Sequence, residues 1–151
     1  PKSPLCAICP VQATCLAQQT GTQGQFPVKP KKKTKPTRRG AAFVARNSEG
    51  SVWLVRRQNS GLLAGMSGVP TTDWSSRQDG ALGVGSAWIG GQWQSCPHVR
   101  HTFTHFHLEL EVWAMSVETV PGHGWWSHPD QLANEALPTL MKKVISASRS
   151  T

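Results

Sequence analysis

Acidic side chains are missing from the first 39 residues of this 151-residue chain. That stretch carries Lys2, Lys29, Lys31, Lys32, Lys33, Lys35, Arg38 and Arg39, whereas residues 40–151 set the other eight Lys and Arg against all eight Asp and Glu. The net charge of +8 therefore sits on a basic arm ahead of a neutral domain, which excludes a uniformly basic protein. Such an arm is stabilised most beside a polyanion, because each neutralised phosphate releases counterions; the plainer alternative is a solvated linker with no partner. Long apolar runs are also missing. No stretch reaches the roughly 18 residues that a transmembrane helix needs. The opening residues Pro1-Lys2-Ser3-Pro4-Leu5-Cys6 contain no apolar h-region, so neither a membrane partner nor a secretory signal is expected. A starting Met is absent, and the chain is expected to be a fragment of something longer.

Cysteine is scarce but clustered, with three of the four at Cys6, Cys9 and Cys15. Without a secretory signal, this spacing reads as a metal site before it reads as disulfides. Soft thiolates suit iron–sulfur clusters or zinc, both of which usually take four ligands. Cys96 lies far off in another expected domain, and unliganded thiols are the remaining alternative. A short helix is expected over Val11–Gln19. Residues 21–39 are rich in Gly, Pro, Thr and Lys and have no apolar period, so they read as an open linker.

Regular structure is expected to resume at Gly40. Ala41–Ala45 reads as a buried strand, Asn47-Ser48-Glu49-Gly50 as a turn and Ser51–Arg57 as the second strand of a hairpin. Residues 58–74 are Gly-rich and irregular, with a short turn near Leu62-Leu63, and residues 75–92 stay open between helix and strand. Val99–Phe103 reads as a strand. Leu108, Leu110 and Val112 alternate with Glu109 and Glu111, the period of a half-exposed strand. Trp125-Trp126 closes a further strand or loop. Leu137, Leu140, Met141, Val144 and Ile145 recur at helical spacing, with Pro138 suited to the first turn and Lys142 and Lys143 falling later. Seven Trp and four Phe are available to fill the core of a mixed α/β domain.

Several motifs occur in an order that is more specific than any one of them. Cys6-Ala7-Ile8-Cys9-Pro10-Val11-Gln12-Ala13-Thr14-Cys15 resembles the end of the iron–sulfur loop of MutY and endonuclease III glycosylases, whose pattern is Cys-x6-Cys-x2-Cys-x5-Cys. Gln25-Phe26-Pro27-Val28-Lys29 resembles the segment that opens the MutY connector. Leu54-Val55-Arg56-Arg57, then Gly61-Leu62-Leu63-Ala64-Gly65-Met66-Ser67-Gly68-Val69-Pro70-Thr71-Thr72-Asp73-Trp74, are similar to the strand and Gly-rich segment of the MutY C-terminal domain, itself similar to the Nudix hydrolase MutT. Phe103-Thr104-His105 resembles that family's Phe-Ser-His loop, with Thr for Ser.

The resemblance to the MutY type of adenine DNA glycosylase implies a Nudix (MutT-like) mixed sheet with flanking helices, preceded by a Cys-rich loop and a flexible linker. It divides the chain into residues 1–20 (end of the cluster loop), 21–39 (basic connector) and 40–151 (8-oxoguanine recognition domain). Cys6, Cys9 and Cys15 would be three of four [4Fe-4S] ligands, an incomplete set. Phe103, Thr104 and His105 would read the lesion. Lys31, Lys32, Lys33, Lys35, Arg38 and Arg39 would meet the DNA backbone. The implied partner is double-stranded DNA with an 8-oxoguanine:adenine mispair, bound by a monomeric, cytoplasmic, nucleoid-associated bacterial protein.

The residues themselves weigh against hydrolysis by this chain. A Nudix hydrolase uses a Gly-x5-Glu-x7-Arg-Glu-x2-Glu-Glu-x-Gly box whose glutamates hold divalent metals. Between Val52 and Leu108 there is no Glu, and the acids are Asp73 and Asp79 alone. The family's glycosylase residues belong upstream of Pro1. Two competing functions remain: an active hydrolase of oxidised nucleotides, which the missing glutamates disfavour, and a basic scaffold binding proteins through residues 21–39. Plainer roles also exist for single residues: Phe103 as a core residue, Arg56 and Arg57 as solvated strand ends, the Trp residues as core, and His101, His105 and His107 as a metal site if their strand is unbroken.

Overall fold

The structure is a computed structural model that describes residues 4–28, 34–58 and 61–149. It divides into two compact units, residues 1–34 and 35–151. In the first unit, short 3-10 turns at Cys6–Ile8, Gln12–Thr14 and Gln23–Gln25 surround the one-turn helix α1, Leu16–Gln19. The helix expected over Val11–Gln19 is thus split, and none of these elements buries a residue. Four to nine residues with no apolar partner cannot support a longer helix, because nucleation is costly and tertiary packing normally offsets it.

The second unit contains β1 (Thr37–Arg46), β2 (Val52–Arg56), β3 (Ser67–Gly68), β4 (Gln94–Thr102), β5 (His107–Ser116), β6 (Trp125–Ser127) and α2 (Thr139–Ala147). The six strands form one mixed sheet in the order β3-β2-β1-β5-β4, with β6 beside β2. β1 and β5 run parallel in unbroken register from Thr37 opposite His107 to Arg46 opposite Ser116. This long pairing draws Thr37, Arg38 and Arg39 into the sheet ahead of Gly40, where sequence pattern places the start of structure. β1 and β2 form the expected hairpin. Its turn is closed by Gly50 N–H donating to Asn47 O at 3.0 Å and Ser51 N–H donating to Asn47 Oδ1 at 2.8 Å, and Gly50 takes φ 78°, which glycine adopts without a Cβ penalty.

The alternation in β5 buries Leu108, Leu110 and Val112 in the same core cluster as Leu140, Met141, Val144 and Ile145 of α2. The apolar spacing therefore locates the helix, but Pro138 caps it from outside with ψ 158°. Lys142 and Lys143 lie mid-helix, not in its last turn. α2 is the one α-helix among the described residues of this unit, fewer than the flanking helices expected. Residues 75–92 contain only bends and the 3-10 turn Val84–Ser86. Within them Trp88, and just beyond them Trp93, stand edge-on to the buried Phe43 at 6.2 and 5.3 Å between ring centres, and Gly80 N–H and Gly83 N–H donate to Arg39 O at 2.8 Å and Glu111 Oε2 at 2.7 Å. No helix among the described residues is long and apolar enough to cross a membrane.

Candidate nucleic-acid interface

β4 and β5 are antiparallel neighbours, with Thr102 opposite His107, so residues 103–106 must reverse the chain. Phe103 N–H donates to Phe106 O at 2.9 Å and closes the turn. The two aromatic residues face inward: Phe106 is 2% exposed, Phe103 is half-buried, and their rings stack at 4.7 Å and 22°. Thr104 and His105 between them are exposed. Among the described residues, no hydrogen bond or ion pair engages the Thr104 hydroxyl or the His105 ring. Polar tips on an apolar base are what a short Phe-Thr-His-Phe turn at a sheet edge produces: burial of the rings fixes the backbone and leaves the hydroxyl to solvent.

The base is wider than the turn. Phe103 also meets Trp74 at 6.1 Å and His101 edge-on at 4.6 Å. His101 is held below the usual histidine pKa, first by burial and then by the nearby Lys143 ammonium. A side-chain bond of 2.9 Å joins Thr102 Oγ1 and His107 Nδ1. Because the turn interrupts the strand, His101 and His107 sit on two different strands and the three histidines do not form one metal-binding face. Among the described residues, no three His, Cys, Asp or Glu side chains converge as a metal site.

The basic residues separate into three groups. Lys31, Lys32 and Lys33 lie outside the described residues. Lys35 belongs to the turn itself, its ammonium donating to Phe103 O at 3.0 Å. Arg38 and Arg39 are engaged by acids. Arg38 lies 3.9 Å from Asp79 and donates to Ser76 O at 3.3 Å. Arg39 lies 3.8 Å from Glu109, which Arg100 approaches at 3.0 Å. These surface pairs contribute little stability, but they lower the positive field that Arg38 and Arg39 present.

Beside the turn lies a cleft of about 430 Å³ lined in part by Arg56, Arg57, Thr71, Asp73, Trp74 and Gln78. Arg57 is not a solvated strand end. Its guanidinium lies over the Trp74 ring at 5.1 Å and donates to Thr71 Oγ1 at 3.3 Å. Burial lowers its pKa, with Asp73 opposing the shift. Sequence reasoning named Lys35 for the DNA backbone and Arg57 as a strand end, but it missed the Lys35 contact with Phe103 and the Arg57 stack on Trp74, neither of which is local in sequence. Elsewhere, Cys6, Cys9 and Cys15 are each partly buried. Three thiols do not complete the four-thiolate set of a four-iron cluster, so the residues present do not by themselves fit that cofactor.

Residues 41–147 match the family described as NUDIX domain. Two curated relatives, both named adenine DNA glycosylase, align with 95% of the chain: the Homo sapiens protein at 26% identity and the Mus musculus protein at 25%. The chain spans 37% and 39% of their respective lengths. Solved structures resemble it too, among them the following three. The C-terminal domain of mouse MUTYH, in a complex with human PCNA, has a TM-score of 0.57 at 23% identity, covering 74% of this chain and 86% of that one. The MutT protein from Methanosarcina mazei Go1 scores 0.59 at 20% identity over 76% and 94%. The NUDIX domain of Shewanella oneidensis NrtR, in a cocrystal with ADP ribose, scores 0.60 at 11% identity over 83% and 94%. At such identities these structural likenesses speak for the fold alone.

Proposed function

The chain belongs to the NUDIX domain family, and we propose that it is the lesion-reading portion of an adenine DNA glycosylase. The whole protein would hydrolyse the N-glycosidic bond of adenine mispaired with 8-oxoguanine or guanine, and this chain would read the 8-oxoguanine strand of the duplex. Similarity to relatives named adenine DNA glycosylase over 95% of the chain supports the assignment. The single observation that carries the reading role is the exposed Thr104–His105 tip on a buried aromatic base.

The chemistry follows from the altered purine edge. Guanine offers N7 and O6 as acceptors in the major groove. In 8-oxoguanine N7 carries a proton and C8 a carbonyl, so the edge becomes a donor beside an acceptor. A hydroxyl both donates and accepts, and that of Thr104 matches this pair. Facing guanine it still donates to N7 but loses the partner from which it accepts. The half-buried Phe103 ring backs the turn, and the Lys35 ammonium at its carbonyl adds positive charge where a phosphate can approach. Nucleotide hydrolysis is the weaker reading. The segment where the glutamates of a Nudix box would stand supplies Asp73 and Asp79, and Asp79 is occupied by Arg38 and by the backbone N–H of Arg39 at 3.2 Å.

The test is competitive binding to duplexes carrying 8-oxoguanine or guanine opposite adenine, for wild type, Thr104→Ala and Thr104→Ser. One good base contact is worth roughly 1–3 kcal/mol, so Thr104→Ala should reduce the lesion preference by about 5- to 150-fold while Thr104→Ser retains it. A lesion preference untouched by Thr104→Ala would refute the role of the hydroxyl.

A further inference from the structure

Two features beside the turn have no task in that reading: a half-buried guanidinium lying over an indole, and a buried indole N–H without a partner among the described residues. We propose that Trp74, fixed by Arg57 and by the space left at Gly40, is the positioning residue that sets where the Phe103 ring stands and therefore how Thr104 is presented. The consequence for DNA rests on the reading of Thr104 given above; the positioning itself does not.

Trp74 is 5% exposed and belongs to the main core cluster. Its Nε1–H has no hydrogen-bond partner among the described residues. No directed bond therefore fixes the rotation of the ring, and its neighbours must do so by packing. Arg57 is one neighbour. Its backbone N–H donates to Met66 O at 2.9 Å and its Nη1 to Thr71 Oγ1 at 3.3 Å, so the guanidinium plane is anchored where it covers the indole. Gly40 is the other. A Cβ on Gly40 would stand 2.8 Å from Trp74 Cδ1 and 3.3 Å from Leu110 Cδ2, so any side chain there would displace the indole edge. The position that Trp74 takes is then passed on by ring contact. Trp74 lies against Phe103, tilted by 32°, and Phe103 stacks on Phe106, which closes the turn that carries Thr104. A packed chain of rings has few alternative arrangements, so a displaced indole must move Phe103 or leave a void beside it.

Fluorine NMR on protein labelled with 4-fluorophenylalanine reads this directly, because the chain has four Phe: Phe26, Phe43, Phe103 and Phe106. Phe43 packs on Trp88 and Trp93 and serves as the internal control. Arg57→Ala and Gly40→Ala should shift or broaden the Phe103 and Phe106 resonances and leave Phe43 in place. Arg57→Lys keeps the charge without the planar surface and should give a partial shift. In the duplex competition, Arg57→Ala should reduce the lesion preference about fivefold, as expected for loss of one cation–π contact in a partly desolvated site. If Gly40→Ala does not fold, the two Arg57 variants decide. Unmoved Phe103 and Phe106 resonances in Arg57→Ala would overturn the proposal. Loss of lesion preference in Thr104→Ala with no effect of Arg57→Ala on either readout would remove the positioning role alone. A silent Thr104→Ala beside a shifted Phe103 in Arg57→Ala would instead remove the reading of Thr104 and leave the positioning standing.

Discussion

Replacing Phe103 and Phe106 separately by Ala distinguishes a supporting platform from ordinary core. Phe106 is 2% exposed and lies in the main cluster, so its truncation leaves a cavity and should cost about 3–5 kcal/mol. Phe103 is half-buried at the margin of the same cluster. Full burial of such a side chain contributes roughly 1.5–3 kcal/mol, so half of that, about 1–1.5 kcal/mol, is at stake. The stack on Phe106 adds about 0.5–1.5 kcal/mol, giving roughly 1.5–3 kcal/mol in all. Urea unfolding measures both. With a slope of about 1.5 kcal/mol per molar, Phe103→Ala should lower the midpoint by about 1–2 M and Phe106→Ala by clearly more, with the slopes unchanged. The lesion preference should fall in Phe103→Ala as well, since the backing of Thr104 is lost. Equal destabilisation by the two variants, with the preference intact in Phe103→Ala, would show that Phe103 serves the core and nothing else.

Lys35→Ala should weaken binding to any duplex and reduce the salt dependence by about one phosphate's worth, a slope change of roughly 0.9; Arg39→Ala should change it less, because Glu109 lies 3.8 Å from that guanidinium, and titrations at several salt concentrations compare them. Arg46→Ala should destabilise by about 1–3 kcal/mol in thermal or urea unfolding, because Nη2 donates to Ile145 O at 3.1 Å and Ser148 Oγ at 2.8 Å at the end of α2. His101 has its folded pKa below the free value of 6.5, so the unfolded chain binds more protons and stability should fall as pH drops below about 6.5 toward the depressed folded value; His101→Gln should flatten that segment of the stability–pH curve. Anaerobic reconstitution with iron and sulfide should load this chain with less than one cluster, and a stable stoichiometric four-iron species would refute the argument from three thiols.

Legibility in the sequence tracked how local each cause is. β5 and α2 were readable because one buried face imposes a period on Leu108, Leu110 and Val112 and on Leu140, Met141, Val144 and Ile145. The β1–β2 turn was readable because Asn47 and Gly50 satisfy its geometry within a few residues. Residues 75–92 carry no period, since what holds them is remote in the chain: Trp88 reaches Phe43, and the N–H groups of Gly80 and Gly83 donate to Arg39 O and Glu111 Oε2. The early start of β1 at Thr37 was hidden because its partner, His107, is remote in the chain. For the same reason the pairing of Arg38 with Asp79 and of Arg39 with Glu109 could not be seen from a run of basic letters. The turn at residues 103–106 was found through its motif, but its footing on Trp74 and Arg57 exists only in three dimensions.

The strand that leads into the sheet starts beside the tip that would touch DNA. Pro36 O accepts the His107 N–H at 2.9 Å, and Lys35 grips the Phe103 carbonyl one residue earlier. Strand entry and probe thus share an anchor. A displacement of Lys35 or Pro36 would reach the turn before it reached the rest of the sheet. Replacing either residue should therefore act on discrimination between bases, and not only on the stability of the sheet.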